Sequence, residues 1–169
     1  MEVRSFNNDL NFGLAKELEI IDILKLNFED EADIRNTKDI YNDDYYIYDF
    51  EAKSGTSFEL KSRRVNKNTY PTTIVPVSKI RDTDKKQIFI FNFTDACCSI
   101  EYNKEVWSKF LIKDVTTWRY GKIDMPKPHY HIPVNLLEDL IRTYNLPARE
   151  TIIPRNIPLY VGANMSAII

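Results

Sequence analysis

A chain of 169 residues, 43% of them hydrophobic, is long enough to bury one core and too short for two. Its charges almost cancel, leaving a net charge of -2, so any contact with nucleic acid must come from a local basic patch. Because the sequence shows no leader-like start and no apolar run of about 18 residues, we expect a soluble, intracellular protein of a host or bacterial cytoplasm, without a membrane partner.

The first predicted element is a helix. Residues 12–28 carry apolar side chains at helical spacing, and residues 29–44 form either a loop or one short helix. From residue 45 the hydrophobic period changes to two. The segments YYIYDFEA, KSGT and SFELKSRR therefore predict a β-hairpin around a turn that contains glycine.

Three further strand-like segments follow the hairpin, at residues 74–80, 87–94 and 97–103. The adjacent Cys97 and Cys98 lie inside the last of these and lack the spacing of a zinc or redox motif. We expect them to be reduced core residues.

Two more helices are predicted, a short one at 104–112 and a second at 135–144, where Asn135 is followed three residues later by Glu138. Residues 146–169 form an extension whose prolines exclude a long helix. The order of elements predicts a mixed α/β fold with a central four- to five-stranded mixed sheet flanked by helices. We expect one domain over 1–169 with its core at about 12–145.

The hairpin carries the clearest chemical pattern, D-x9-E-x-K, formed by Asp49, Glu59 and Lys61. In a strand, residues two apart share a face, so Glu59 and Lys61 point one way while their sequence neighbours point to the core. Matching the apolar faces of the two strands puts Asp49 and Glu51 on the side of Glu59 and Lys61. We therefore expect three carboxylates and one ammonium group to converge.

Glu17 is a second indication of chemistry at the core. It falls inside the apolar arc of the first helix, beside Ile21 and Leu24. A carboxylate directed at the core is costly unless it is paired or binds a metal ion. The alternative is that its side chain reaches solvent from the edge of the helix.

These residues resemble the PD-(D/E)XK nuclease superfamily, which includes restriction enzymes, Holliday-junction resolvases and phage exonucleases. The resemblance covers an early helix with a glutamate, the hairpin IYDFEAKSGTSFELKSRR and the strand IFIFNF, over about 12–112. The stretch YPTTIVPVSKI is similar to small viral or phage-encoded members. Tyr48 stands where the family pattern has proline. The resemblance implies a restriction-endonuclease-like αβββαβ core.

The resemblance also implies roles for individual residues. Asp49, Glu59 and the main-chain carbonyl of Leu60 would hold Mg²⁺ or Mn²⁺, and Glu17 would be an auxiliary ligand. Lys61 would position the attacking water and stabilise the transition state. Glu51 is a further candidate ligand because it shares the face of Asp49.

Basic residues after Lys61 are candidates for contacts with nucleic acid. The candidates are Arg63, Arg64, Lys67 and Lys79, with Tyr70 as an auxiliary contact. Arg63 shares the face of Lys61. For Arg64 and Lys67, the alternative to a nucleic-acid contact is an ordinary solvated position at the end of the strand. His129 and His131 form an HxH motif that lacks a third histidine or a nearby cysteine, so we expect packing and not zinc binding.

The sequence therefore predicts a metal-dependent nuclease, with DNA favoured over RNA and endonuclease favoured over exonuclease. Small enzymes of the resembling family often act as a homodimer or with a partner subunit. Two alternatives stay open: a catalytically inactive nuclease fold that serves as an interaction module, and a viral-type RNA endonuclease with the same metal chemistry.

Overall fold

The structure is a computed structural model, and it describes residue 17 and residues 19–43, 46–116, 118–119 and 122–142. The described chain contains a six-stranded mixed sheet, a three-stranded antiparallel sheet and a two-stranded ribbon. The predicted α/β class with a mixed sheet is confirmed, although the main sheet has six strands where the sequence predicts four or five. The predicted extension at 146–169 lies outside the described residues.

The strands are short and divide between the sheets as follows. The large sheet contains β1 (Arg35–Asn36), β2 (Phe50–Glu51), β3 (Ser57–Ser62), β5 (Gln87–Asn92), β6 (Cys97–Glu101) and β11 (Glu138–Asp139). The small sheet contains β4 (Thr72–Pro76), β7 (Leu111–Val115) and β10 (Lys127–Pro133), and the ribbon pairs β8 (Trp118–Arg119) with β9 (Lys122–Ile123). The large sheet has the order β1-β2-β3-β5-β6-β11, and only β3 and β5 run parallel.

The helices are few. Helix α1 comprises the helical residues 17 and 19–27, α2 is Thr37–Tyr41 and α3 is Lys104–Trp107. Three 3-10 turns are formed by Lys67–Thr69, Val77–Lys79 and Val134–Leu136. In this described part of the chain, no helix has the length and apolar character needed to cross a membrane.

Alternation along β5 divides the core into two halves. Ile88 and Ile90 pack on the side of α1, whereas Phe89 and Phe91 pack against β4, β10 and α3 on the other side. All six residues of β5 are buried, as a strand between two covered faces requires. The adjacent cysteines follow the same rule: Cys97 joins the first half and Cys98 the second, and both are free thiols, as predicted.

The hairpin between β2 and β3 forms where the sequence predicts it. Phe50 lies opposite Phe58 in the pairing, and both belong to the core half beneath α1. Gly55 in the turn has a φ angle of 89°, a conformation that side chains with a Cβ rarely adopt. Since β2 pairs only over Phe50–Glu51, the strand is much shorter than the predicted apolar run.

Two predicted helices are wrong in extent or in kind. The helix expected at 104–112 ends at Trp107, and the chain then enters strand β7. The helix expected at 135–144 is replaced by a 3-10 turn and by β11, which pairs with β6. In both places, pairing with a distant strand outweighs the helical pattern of the sequence, because local propensity is a weak preference.

Helix α3 is attached to the core through Trp107. The indole is fully buried, contacts the rings of Phe89, Tyr102 and Tyr130, and donates from Nε1 to the carbonyl of Glu101 at 3.1 Å. Trp107 therefore joins the large sheet to the small one.

We expect Trp107→Ala to lower the free energy of unfolding by about 3–5 kcal/mol, because it removes a large buried side chain and leaves a cavity. Urea unfolding followed by circular dichroism measures this. Val106→Ala, at an exposed position of the same helix, is the matched control and should change stability by less than about 1 kcal/mol. Equal losses in the two variants would contradict the proposed role of the indole.

Candidate active site

Glu59 lies within β3 and is almost fully buried, with 2% of its surface exposed. Two lysines hold its carboxylate. Lys61 donates to Oε1 from the same strand, and Lys79 Nζ lies 2.9 Å from Oε1 and 3.0 Å from Oε2. A buried carboxylate is costly without a cation or hydrogen-bond donors, and the two ammonium groups supply both. Because the lysine side chains remain 20% and 27% exposed, the cluster is open to solvent on their side.

Asp49 lies beside Glu59, immediately before strand β2. Its N–H donates to the carbonyl of Phe58 at 3.1 Å, and its Oδ2 accepts from the Leu60 N–H at 2.7 Å. The pKa of Asp49 is raised to about 6, first by burial and then by the charge of Glu59, against the opposing effects of the Leu60 N–H and the two lysines. The structure thus brings Asp49, Glu59 and Lys61 together on one side of the hairpin.

The carbonyl of Leu60 lies on the edge of β3 that faces β2. In a strand, the N–H and C=O of one residue point to the same neighbouring strand. Since the Leu60 N–H meets the carboxylate of Asp49, its carbonyl also faces the side of Asp49. Leu60 itself packs its side chain against the core half beneath α1.

Lys79 reaches Glu59 because the segment that carries it is fixed to the start of β5. The side chain of Gln87, 2% exposed, accepts from the Arg81 N–H at 2.9 Å and donates to the Arg81 carbonyl at 2.7 Å. The Tyr48 hydroxyl donates to Gln87 Oε1 at 2.8 Å and contacts the Lys79 carbonyl at 3.2 Å. Lys79 also donates to the carbonyl of Ile47.

The sequence does not predict this arrangement. Its pattern suggests nucleic-acid contacts for Lys79 and indicates no role at the site for Gln87 or Tyr48. The one available indication was Gln87, a polar residue that opens the otherwise apolar strand QIFIFNF. Nothing local shows that Lys79, 18 positions after Lys61 in the sequence, shares the same carboxylate.

The other predicted acids are held elsewhere. Glu17 receives hydrogen bonds from Lys38 Nζ at 3.0 and 3.3 Å and from Asn36 Nδ2 at 3.1 Å. Glu51 receives the hydroxyl of Tyr41 on both carboxylate oxygens, at 2.9 and 3.0 Å. Within the described residues, the three carboxylates of the hairpin do not form a group that could hold a metal ion, and the carboxylate of Glu51 is engaged by Tyr41. Two carboxylates and two ammonium groups form the site.

The predicted nucleic-acid contacts lie in different environments. Arg63 is partly buried and lines a cavity together with the exposed Tyr70. Arg64 is exposed. Lys67 donates to Asp139 Oδ1 at 2.6 Å, and this hydrogen bond raises the pKa of the lysine. The sequence run SRRVNK therefore does not form one continuous basic surface.

Within the described residues, no group of three or more His, Cys, Asp or Glu side chains is arranged to hold a metal ion. The oxygen donors gathered by the hairpin are the carboxylates of Asp49 and Glu59 and the carbonyl of Leu60. Such a set suits Mg²⁺ or Mn²⁺, since Mg²⁺ is commonly held by one or two carboxylates while water and substrate phosphate complete its coordination.

Comparisons with known proteins do not identify a relative. No protein-family model, no curated protein sequence and no solved structure matches the chain. Any function must therefore be inferred from the residues of the site.

Proposed function

We propose that the protein is a divalent-metal-dependent nuclease of the PD-(D/E)XK type that hydrolyses phosphodiester bonds. One observation supports this above all others: Asp49, Glu59 and Lys61 lie together on one side of the hairpin, in the arrangement that the D-x9-E-x-K pattern implies. Folding alone does not require a buried carboxylate with two lysines, because an apolar residue at the position of Glu59 would avoid the cost of desolvation.

Asp49, Glu59 and the carbonyl of Leu60 would hold the metal ion. A bound Mg²⁺ or Mn²⁺ supplies charge stabilisation to the phosphoryl oxygens and lowers the pKa of a water molecule. Lys79 and Lys61 meanwhile balance the charge of the site when no cation is bound. The resemblance adds Glu17 as an auxiliary ligand, a role that requires its carboxylate to leave Lys38 and Asn36.

Lys61 would orient the attacking water and stabilise the negative charge that develops on the phosphate. Its position suits this role because Glu59 restrains the ammonium group while a fifth of the side chain remains exposed. Glu59 thus both binds the metal ion and positions the lysine. DNA is the favoured substrate, and an RNA endonuclease would use the same residues.

A second candidate function is an inactive nuclease fold that serves as an interaction module. It is favoured by the engagement of Glu59 with two lysines and by the small number of carboxylates at the site. In such a protein the ion-pair cluster would be structural.

Incubation of the purified full chain with supercoiled plasmid, linear single-stranded DNA and RNA separates these candidates. We expect cleavage in Mg²⁺ or Mn²⁺, none in EDTA, and products that carry a 5′-phosphate and a 3′-hydroxyl. Restoration of cleavage by adding metal back to EDTA-treated protein is the control. Equal cleavage in EDTA would refute the metal mechanism, and a failure to cleave any substrate would favour the interaction module.

A further inference from the structure

A cavity of about 380 Å³ lies between the end of β3 and the edge of the small sheet. Its volume is at the small end of the range for ligand pockets. The wall is mainly apolar and aromatic. The residues on which the inference depends are Arg63, Val65, Tyr70 and Phe93.

Arg63 places a positive charge in this wall. Its guanidinium donates to the carbonyl of Ile74 at 2.7 Å and lies 6.0 Å from the centre of the Phe91 ring. In the part of the chain that the structure describes, Arg63 forms no ion pair with a carboxylate. A partly buried cation without a counterion is costly, so an external anion at this position would be stabilising. The fork of a guanidinium suits a phosphate.

The cavity and the candidate active site lie along one strand. One face of the strand carries Glu59, Lys61 and Arg63, because every second residue of a strand points to the same side. The Arg63 N–H donates to the Asn92 carbonyl at 2.8 Å, so the pairing with β5 continues past the end of β3. At about 3.3 Å per residue, Arg63 lies roughly 13 Å from Glu59. A nucleic-acid strand bound at Glu59 and Lys61 can therefore reach Arg63 and the cavity beyond it.

The cavity also offers groups that recognise a flat ring. Tyr70 is 62% exposed, which leaves its ring free to stack on a base. His131 also lines the cavity.

From these observations we infer that the cavity is a subsite for one unpaired nucleotide, whose phosphate contacts Arg63 while its base enters between Tyr70, Val65 and Phe93. The inference rests on the proposed nuclease function and specifies its substrate. A base inside a duplex is stacked and paired, and it must leave the stack before it can enter a cavity. The preferred substrate is therefore a single strand, or a duplex with an unpaired nucleotide close to the bond that is cleaved.

Binding in EDTA tests the subsite separately from cleavage. The full chain is titrated into fluorescein-labelled 12-nucleotide single strands of DNA and RNA and into a blunt duplex, and fluorescence anisotropy is recorded at low salt. We expect a single strand to bind at least about tenfold more tightly than the duplex. A series of single strands, each with an abasic site at one position, should contain one position where the loss of the base weakens binding.

Two variants remove features of the subsite. Tyr70→Ala removes the exposed ring and should weaken binding of the intact single strand by about 5- to 100-fold, with no further loss on the strand that lacks the critical base. Val65→Phe fills the cavity and should give a similar loss. The matched controls are Tyr41→Ala, at an exposed tyrosine that does not line the cavity, and Val106→Phe, at an exposed valine.

Melting curves test whether each variant is folded. If Val65→Phe is not folded, Tyr70→Ala alone decides the result. Duplex binding equal to single-strand binding, a uniform abasic series, or unchanged binding in Tyr70→Ala would each overturn the subsite. If the expected binding pattern is found but metal-dependent cleavage is not, the subsite is retained and the proposed catalytic function is refuted. Metal-dependent cleavage together with a uniform abasic series would retain the proposed catalytic function and refute the subsite.

Discussion

Lys61→Ala is expected to lower the rate of phosphodiester cleavage by about 10²- to 10⁴-fold, while the protein remains folded. We expect a loss of this size because the variant lacks the group that is proposed to orient the attacking water and to stabilise charge on the phosphate. Glu59 retains Lys79 as a cation in the variant, so the carboxylate does not become unpaired. Single-turnover cleavage of a labelled substrate in Mg²⁺ measures the effect on chemistry apart from product release.

Two other lysines provide the controls for Lys61→Ala. Lys53 is exposed in the turn of the same hairpin, and Lys53→Ala should leave the rate unchanged. Lys79→Ala removes the other cation from Glu59, and we expect a smaller loss, because Lys79 is also committed to the carbonyl of Ile47. Full activity in Lys61→Ala would contradict the catalytic assignment. Equal losses of cleavage rate in Lys61→Ala and Lys79→Ala would mean that the total positive charge around Glu59 matters, and not the position of Lys61.

Asp49→Asn is expected to stabilise the metal-free protein and to abolish its response to Mg²⁺. At pH 7.5 and in EDTA, we expect the free energy of unfolding to rise by about 1–2 kcal/mol. This range is below the roughly 3 kcal/mol that the raised pKa implies, because partial exposure screens the charge. The Leu60 N–H retains an acceptor in the asparagine side chain. Cleavage should fall by at least about 10²-fold, because one of the two carboxylates proposed to bind the metal ion is lost.

The pH dependence of this stabilisation has a definite sign. The pKa of Asp49 is about 6 in the folded chain and 3.8 for an unperturbed aspartate, so the folded state binds the proton more tightly. This carboxyl therefore favours folding below about pH 3.8, and its contribution is lost as the pH rises through about 6. The advantage of Asp49→Asn should be smaller at pH 4.5 than at pH 7.5.

Urea unfolding at pH 4.5 and 7.5, with EDTA or with Mg²⁺, measures both effects. Mg²⁺ should stabilise the wild-type protein at pH 7.5 and do so less at pH 4.5, since the ion binds the ionised carboxylate. Asp84→Asn, at an exposed loop carboxylate, is the matched control and should respond to Mg²⁺ as the wild type does. A destabilised Asp49→Asn protein would contradict the cost assigned to the buried charge of Asp49. A variant that Mg²⁺ still stabilises fully would argue against a metal site at Asp49.

The sequence predicted well where one short segment decides the geometry. The alternation of SFELKSRR is enough to place Glu59 and Lys61 on one face, and the matching of Phe50 with Phe58 then fixes the side on which Asp49 lies. The helical pattern predicts that Glu17 is directed at the core, and its side chain is partly buried, but its partners come from residues that follow α1. No pattern within a helix identifies a partner about twenty residues away.

Strand alternation and turn chemistry act over neighbouring residues, so they are enough to predict the hairpin, the placement of Asp49 and Glu59 on one side of it, and the mixed α/β class of the fold. The contact of Lys79 with Glu59, the engagement of Glu51 by Tyr41, and the pairing of residues 138–139 with β6 are visible only in the folded chain. Each of these depends on contacts between distant segments, whose free energy exceeds the small differences in local propensity that a sequence pattern reports.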